Sequence, residues 1–211
     1  MSGGAVIFDM DGLLIDSERH ILECWRAVAA EHALPLDDAL WLSMVGLHDA
    51  ACTQMLVSLL GPAKAERLNI DCKRRYDLLV EKGLPLKDGA LELLQELSAR
   101  NVPLAIATST RRERALIKLA RCGIDHYFAA IATSSDVTHP KPAPDIYLLA
   151  ASRLGVAPEN CKAVEDSEMG VRAAHAAGMS VIQVPDLVPA TELTRSLAQV
   201  VGSLHEARAL L

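Results

Sequence analysis

Two aspartates, Asp9 and Asp11, follow a short apolar segment of strand type at 5–8, and Gly12 comes directly after them. Two carboxylates this close repel each other unless a cation neutralises them. Mg²⁺ prefers oxygen ligands and often shares its coordination shell with a substrate phosphate. Gly12 permits a tight turn and a close approach between a ligand and the backbone. The segment therefore indicates a metal and phosphate site, although a plain acidic loop would also fit it.

Three further groups of polar residues could complete such a site. Thr108 and Ser109 end a second apolar segment, and hydroxyl and N–H groups at a strand-to-helix turn can bind phosphate. Glu165 and Asp166 end a third segment and add two carboxylates. Lys141 lies between two prolines, which stiffen its loop and lower the entropy lost in placing one positive charge. Taken singly, the hydroxyl groups could cap a helix and Lys141 could be an ordinary exposed lysine.

The elements that must position these groups alternate between strands and helices. Apolar segments at 5–8, 103–108, 128–133, 163–166 and 181–184 predict strands. Helical spacing at 90–97, 145–154 and 169–177 predicts helices, and Thr110 is expected to cap another that runs to about Cys122. Such alternation is typical of a parallel sheet covered on both faces. Ligands of such sheets bind beyond the carboxyl ends of the strands, where the polar groups described above fall.

The stretch from Glu18 to about Lys82 has a helical pattern and no clear strand. It lies between the first predicted strand and the rest of the sheet. We therefore predict an α/β protein whose Rossmann-like parallel-sheet core, residues 1–17 and 84–211, carries an inserted all-α domain at 18–83.

Composition excludes several classes of function. The net charge of -6 and the 3% of aromatic residues argue against a nucleic-acid partner and against an anionic membrane surface. The five cysteines are odd in number and form no C-x-x-C motif, so zinc sites and disulfide frameworks are disfavoured. No apolar segment is long enough for a signal sequence or a bilayer span. We expect a cytoplasmic protein with no membrane partner.

Four segments together resemble the motifs of the haloacid dehalogenase superfamily, in its branch of small phosphatases and phosphomutases with a helical cap. They occur in the family's order and span nearly the whole chain: D-M-D-G-L-L-I-D-S at 9–17, the strand ending at Thr108, Lys141 in its proline-flanked loop, and E-D-S-E-M-G at 165–170. Leu13 stands where the family often has Thr or Val, and we expect it to pack rather than to react.

The resemblance implies a role for each residue. Asp9 would be the nucleophile that forms an aspartyl-phosphate, and Asp11 the general acid for the leaving oxygen and then the base for water. Mg²⁺ would be held by Asp9, by the backbone carbonyl of Asp11, by Asp166, and by Glu165 directly or through water. The phosphate would be held by Gly12, Thr108, Ser109 and Lys141.

The resemblance also places substrate selection on the cap, because a lid can exclude water and select the leaving group. The candidate contacts are His20, Gly46, Leu47 and His48, and either histidine could instead be solvated. The expected partner is a small phosphorylated metabolite, with a sugar phosphate suggested by the resemblance alone. The oligomeric state is not readable, and a monomer is compatible with the sequence.

The closest alternative is a mutase of the β-phosphoglucomutase type. That branch carries a His in the first cap helix and an Arg in the specificity loop, at positions that align without gaps with Ile21 and Asp49. Both differences favour a phosphatase that admits water. A dehalogenase is disfavoured because that branch lacks the acid at the position of Asp11. A non-catalytic phosphate-binding module remains the other alternative, although all the catalytic positions are filled.

Overall fold

A computed structural model describes residues 4–44, 47 and 49–211, with the side chains of residues 49 and 50 excepted. Six strands of this described part form one parallel sheet in the order β3-β2-β1-β4-β5-β6. The strands are β1 (Ala5–Phe8), β2 (Leu104–Thr108), β3 (Ala130–Thr133), β4 (Cys161–Glu165), β5 (Ser180–Gln183) and β6 (Gln199–Val200). The strand that leads to Asp9 therefore lies in the middle of the sheet.

The first four α-helices of the described chain follow β1 directly: α1 (Ser17–Glu31), α2 (Asp38–Met44), α3 (Asp49–Leu60) and α4 (Pro62–Lys82). The chain leaves and re-enters the core at adjacent points, because the N–H of Asp16 donates to Pro85 O at 2.9 Å and that of Lys87 donates to Leu14 O at 2.9 Å. The division into a core and a cap at 18–83 stays a prediction.

The remaining α-helices of the described chain cover the sheet: α5 (Ala90–Ala99), α6 (Arg112–Arg121), α7 (Asp145–Leu154), α8 (Glu168–Ala176), α9 (Glu192–Leu197) and α10 (Leu204–Arg208). Alternate strand residues enter two separate apolar clusters, with Phe8 in the cluster that includes α5 and α6 and Ile7 in the cluster that includes α7 and α8. Strands buried on both faces read as continuous apolar segments, which is why the sequence pattern revealed them.

The fold class and the five predicted strands are confirmed, with differences at the ends. β3 begins at Ala130 rather than 128 because Asp125–Tyr127 form a single 3₁₀ turn before it. The short β6 was not predicted, since two residues carry no periodic pattern. Among the helices that the structure describes, none has the length and apolar character needed to cross a bilayer.

Candidate active site

The carboxyl ends of β1, β2 and β4 meet at one edge of a cavity of about 790 Å³. The strand register explains this meeting, because Phe8 lies opposite Ile106 of β2 and Val164 of β4. The inserted helices form much of the opposite wall. Six residues predicted for the reaction centre line the cavity: Asp9, Asp11, Thr108, Ser109, Lys141 and Asp166.

Lys141 binds the predicted nucleophile directly. Its Nζ lies 2.6 Å from Asp9 Oδ1, 2.5 Å from Glu165 Oε1 and 2.9 Å from the carbonyl oxygen of Ala107, so each ammonium proton has an acceptor. Burial alone would lower the pKa of Lys141, but the two carboxylates raise it above its usual value. Lys141 is therefore a buried cation and not the ordinary exposed lysine that its loop alone would suggest.

Glu165 is fully buried, and both of its carboxylate oxygens already accept hydrogen bonds. Oε1 accepts from Lys141 and from the hydroxyl of Tyr147 at 2.5 Å. Oε2 accepts the backbone N–H groups of Asp166 and Ser167 at 3.2 and 3.4 Å. These bonds favour Glu165 as a support for Lys141 over Glu165 as a direct metal ligand.

Asp9, Glu165 and Asp166 each offer an oxygen, and the three oxygens lie within 4.8 Å of one another. Full ionisation of the three carboxylates would exceed the charge of the one ammonium group by two, which is unfavourable without a further cation. Burial raises the pKa of Asp9 to about 7, against the effect of Lys141, and raises that of Asp166 well above its usual value. An all-oxygen group with excess negative charge fits Mg²⁺, and Asp166 has no side-chain hydrogen bond within the described residues that would compete with it.

Gly12 is required where it stands. Its φ of +82° is unfavourable for other residues, and a Cβ at this position would overlap the Oδ2 atom of Asp166. The backbone of the first motif therefore passes directly against the candidate metal ligand.

The Asp11 carboxylate has a different set of partners. It accepts hydrogen bonds from Lys118 Nζ at 2.5 Å, Thr110 Oγ1 at 2.6 Å and Ser17 Oγ at 2.7 Å. Burial alone would raise the pKa of Asp11, but Lys118 and the two hydroxyls hold it below its usual value. Asp11 is therefore held as a carboxylate beside the cavity, in the form that accepts a proton.

The expectation that Thr110 caps a helix is wrong. The helix α6 begins at Arg112, Arg111 occupies its N-cap position, and no side chain caps it. The Thr110 hydroxyl donates instead to Asp11, while its backbone N–H donates to Thr108 Oγ1 at 3.1 Å. The hydroxyl of Thr110 binds Asp11 and does not cap the start of a helix, although a threonine after a strand is compatible with either role.

Lys118 is a site residue that sequence reasoning missed. It is 5% exposed, pairs with Asp11, and lies 5.2 Å from the ring centroid of Tyr76 on α4. A signal was present: Ala115, Lys118 and Leu119 share the spacing of one helix face, and that face is buried. A lysine on an apolar helix face indicates a buried charge partner.

The structure describes two of the four predicted cap contacts, His20 and Leu47. His20 is not among the residues that line the cavity, and its Nδ1 atom lies 2.6 Å from the carbonyl oxygen of Asp16. Its neighbour Ile21 lines the cavity instead. Leu47, another of the predicted contacts, also lines the cavity. Gly46 and His48 lie outside the described residues.

Residues 6–184 match the family of haloacid dehalogenase-like hydrolases. The chain belongs to this family. The hydrolase is 34% identical to the fructose-1-phosphate phosphatase YqaB of Escherichia coli (strain K12) over 183 residues, which cover 85% of this chain and 95% of that protein.

Two solved structures resemble the hydrolase over nearly its full length. A putative beta-phosphoglucomutase from Thermotoga maritima has 30% identity and a TM-score of 0.81, covering 98% of this chain and 97% of that chain. A haloacid dehalogenase-family hydrolase from Deinococcus radiodurans R1, with bound phosphate and sodium, has 32% identity and a TM-score of 0.83, covering 99% and 94%.

Substitution of Gly170 by Ala tests the packing around Glu165. A Cβ at Gly170 would overlap the Glu165 carboxylate. We expect Gly170→Ala to lower the free energy of unfolding by about 3 kcal/mol or more and to reduce activity, since Glu165 holds Lys141. Gly155→Ala is the control for an added Cβ that meets no neighbour, because no atom lies within 4 Å of it and only the positive φ of Gly155 opposes the change. It should cost only ~1–2 kcal/mol in urea denaturation. Equal losses in both variants would contradict the packing described here.

Proposed function

We propose that this protein is a Mg²⁺-dependent phosphomonoesterase that acts on a small phosphorylated metabolite through a phosphoryl group carried on Asp9. The observation that carries the proposal is the position of Asp9, which is buried beside the cavity, bound to Lys141 and grouped with Asp166. This arrangement provides a nucleophile, a buried cation and a metal-binding oxygen at one point.

In the proposed first step, Asp9 attacks the phosphorus atom and Asp11 gives a proton to the leaving oxygen. Lys141 orients Asp9 through the bond to Oδ1. Asp11 must carry a proton at this stage, and the negative charge of an approaching phosphate favours that form. When bound by Asp9, Asp166 and the backbone carbonyl of Asp11, Mg²⁺ would supply positive charge against the repulsion between phosphate and nucleophile.

In the second step, Asp11 takes a proton from the water that attacks the phosphoryl group, the bond between Asp9 and phosphorus breaks, and inorganic phosphate leaves. Short hydrogen bonds from Ser17, Thr110 and Lys118 hold its carboxylate at the cavity wall for this role. Thr108, Ser109 and the backbone N–H of Gly12 would hold the phosphoryl oxygens at the strand ends. Glu165 acts indirectly, because its carboxylate holds Lys141 in position.

The leaving group would occupy the part of the cavity between the core and the inserted helices. We propose that residues 18–83 act as the cap that excludes water and selects the substrate. The sugar phosphate acted on by the relative from Escherichia coli supports a substrate of that class. Ile21, at the position where the mutase branch carries a histidine, supports water as the final acceptor. A cytoplasmic location and the lack of a nucleic-acid partner remain predictions from composition.

Release of inorganic phosphate from a panel of phosphomonoesters tests this function. We expect wild-type protein to release phosphate from at least one sugar phosphate, and chelation with EDTA to reduce the rate roughly 100-fold, because the metal would supply several kcal/mol of charge stabilisation. Excess Mg²⁺ should restore the rate, and thermal melting with and without EDTA controls for loss of fold.

Three results would contradict the proposal. Hydrolysis that is insensitive to EDTA would remove the metal from the mechanism. Phosphate binding without release from any ester would indicate a binding module. Conversion of β-glucose 1-phosphate to glucose 6-phosphate without net phosphate release would identify a mutase.

A further inference from the structure

Glu18, in the first turn of α1, lines the catalytic cavity and has no role in the mechanism described above. It lies against the first motif, since a Cβ added to Gly12 would lie 3.1 Å from Glu18 Cγ. Within the described part of the chain, its carboxylate has no hydrogen-bond or ion-pair partner. The charged groups that act on it are Asp11 and Asp186, which disfavour its charge, and Lys118, which favours it.

A carboxylate in this position disfavours a ligand that offers it no hydrogen bond. Glu18 is partly exposed at the cavity, so its hydrogen bonds come from water that a ligand displaces on binding. A carboxylate near a phosphate site also repels the substrate dianion. Both disadvantages are offset when the bound substrate brings a hydrogen-bond donor to Glu18.

The position of Glu18 indicates which part of the substrate brings that donor. Gly12, which would hold the phosphoryl group, and Asp11, which would protonate the leaving oxygen, lie close to Glu18. Further along the same face of α1, Ile21, Leu22 and Trp25 line the cavity at helical spacing. Glu18 thus lies between the residues that would hold the phosphoryl group and an apolar wall, where a leaving group would sit in the proposed reaction.

We propose that Glu18 is a specificity-determining residue that accepts a hydrogen bond from a hydroxyl group of the leaving group, on the carbon next to the phosphorylated one. The ring or chain beyond that carbon lies against Ile21, Leu22 and Trp25, and Trp25 is held by stacking on Trp41 at 5.2 Å between ring centroids. This inference rests on the proposed function, because it assigns the leaving-group side of the same site.

A hydroxyl is the donor that fits this wall. An ammonium group on the substrate would also satisfy the carboxylate, but the wall that follows Glu18 on α1 is apolar and supplies no second acceptor for its remaining protons. A hydroxyl needs only one acceptor and leaves the neighbouring carbon surface for Trp25.

The test compares two substrates in three proteins. The substrates are a sugar phosphate that the wild type hydrolyses and its analogue without the hydroxyl next to the phosphorylated carbon. We expect the wild type to favour the hydroxylated substrate about 10-fold to 100-fold in kcat/KM, the range of a hydrogen bond to a charged group. Glu18→Ala should reduce this preference to about 3-fold or less, and Glu18→Gln, which keeps an acceptor oxygen, should give an intermediate value.

Glu23→Ala is the matched control, since Glu23 is exposed on the same helix, and it should keep the wild-type preference. An unchanged preference in Glu18→Ala, or an equal loss with both substrates, would overturn the role of Glu18 while leaving the proposed function intact. Better hydrolysis of phosphoethanolamine than of any sugar phosphate, abolished in Glu18→Gln, would overturn the choice of a hydroxyl. Failure of the wild type to hydrolyse any ester would overturn the proposed function itself.

Discussion

Replacement of Asp9 by Asn is expected to lower kcat by at least about 1,000-fold with every phosphomonoester that the wild type accepts, since the amide is not a competent nucleophile. The side chain keeps its size, and its oxygen can still accept from Lys141, so the loss should fall on chemistry rather than on folding. The measurement is steady-state phosphate release, together with a thermal melt that should show a folded protein.

Asp88→Asn provides the control for this substitution. Asp88 is 97% exposed and lies outside the candidate site, so its change should leave kcat within about 2-fold of wild type. Acid-quenched wild-type protein, analysed by mass spectrometry during turnover, should carry a phosphoryl group that Asp9→Asn lacks. Full turnover in Asp9→Asn would show that the covalent mechanism is wrong.

Replacement of Lys141 by Met is expected to reduce both stability and activity. Lys141 faces two buried carboxylates, and removal of one partner from a buried ionic group leaves uncompensated charge. We expect a loss of about 3–5 kcal/mol in the free energy of unfolding, measured with EDTA present so that bound metal does not mask it. Activity should fall at least ~100-fold, since Asp9 loses its orienting bond. Lys64→Met, at an exposed lysine, should change stability by less than about 0.5 kcal/mol.

A double substitution separates charge from shape at this position. Glu165→Gln removes one of the two negative charges that Lys141 compensates. In the Lys141→Met background it should therefore restore part of the lost stability, whereas alone it should be destabilising. The non-additive term is expected to exceed about 1 kcal/mol in a double-mutant cycle. Strict additivity would show that Lys141 and Glu165 do not stabilise each other.

The fold and the main acidic residues of the site were predictable because both follow from the pattern of apolar and polar residues along short segments of the sequence. Strands buried on both faces are continuous apolar segments, and the polar residues that end them must meet at one edge of a parallel sheet. Asp9, Thr108 and Asp166 could be placed in this way without any knowledge of tertiary contacts. Their proximity in the structure agrees with that reasoning.

The partners of those acids were not predictable in the same way. Tyr147 binds Glu165 and Lys118 binds Asp11 from helices, and a helix residue reveals its neighbour only when the packing of that helix is known. Tyr147 had no distinguishing signal, since an aromatic residue on a buried helix face is ordinary. Ile21 lines the cavity and its neighbour His20 does not, because one residue along a helix changes direction by ~100°.

The saturated ammonium group of Lys141 has a consequence for how it serves the reaction. Its three protons are already given to Asp9, Ala107 and Glu165, so a phosphoryl oxygen can gain one only by exchange. In the proposed reaction, Asp9 loses negative charge as its bond to phosphorus forms, and its hold on that proton weakens. Lys141 can then donate that hydrogen bond to the phosphoryl group as the reaction proceeds. Lys141 would therefore stabilise the transition state more than the bound substrate.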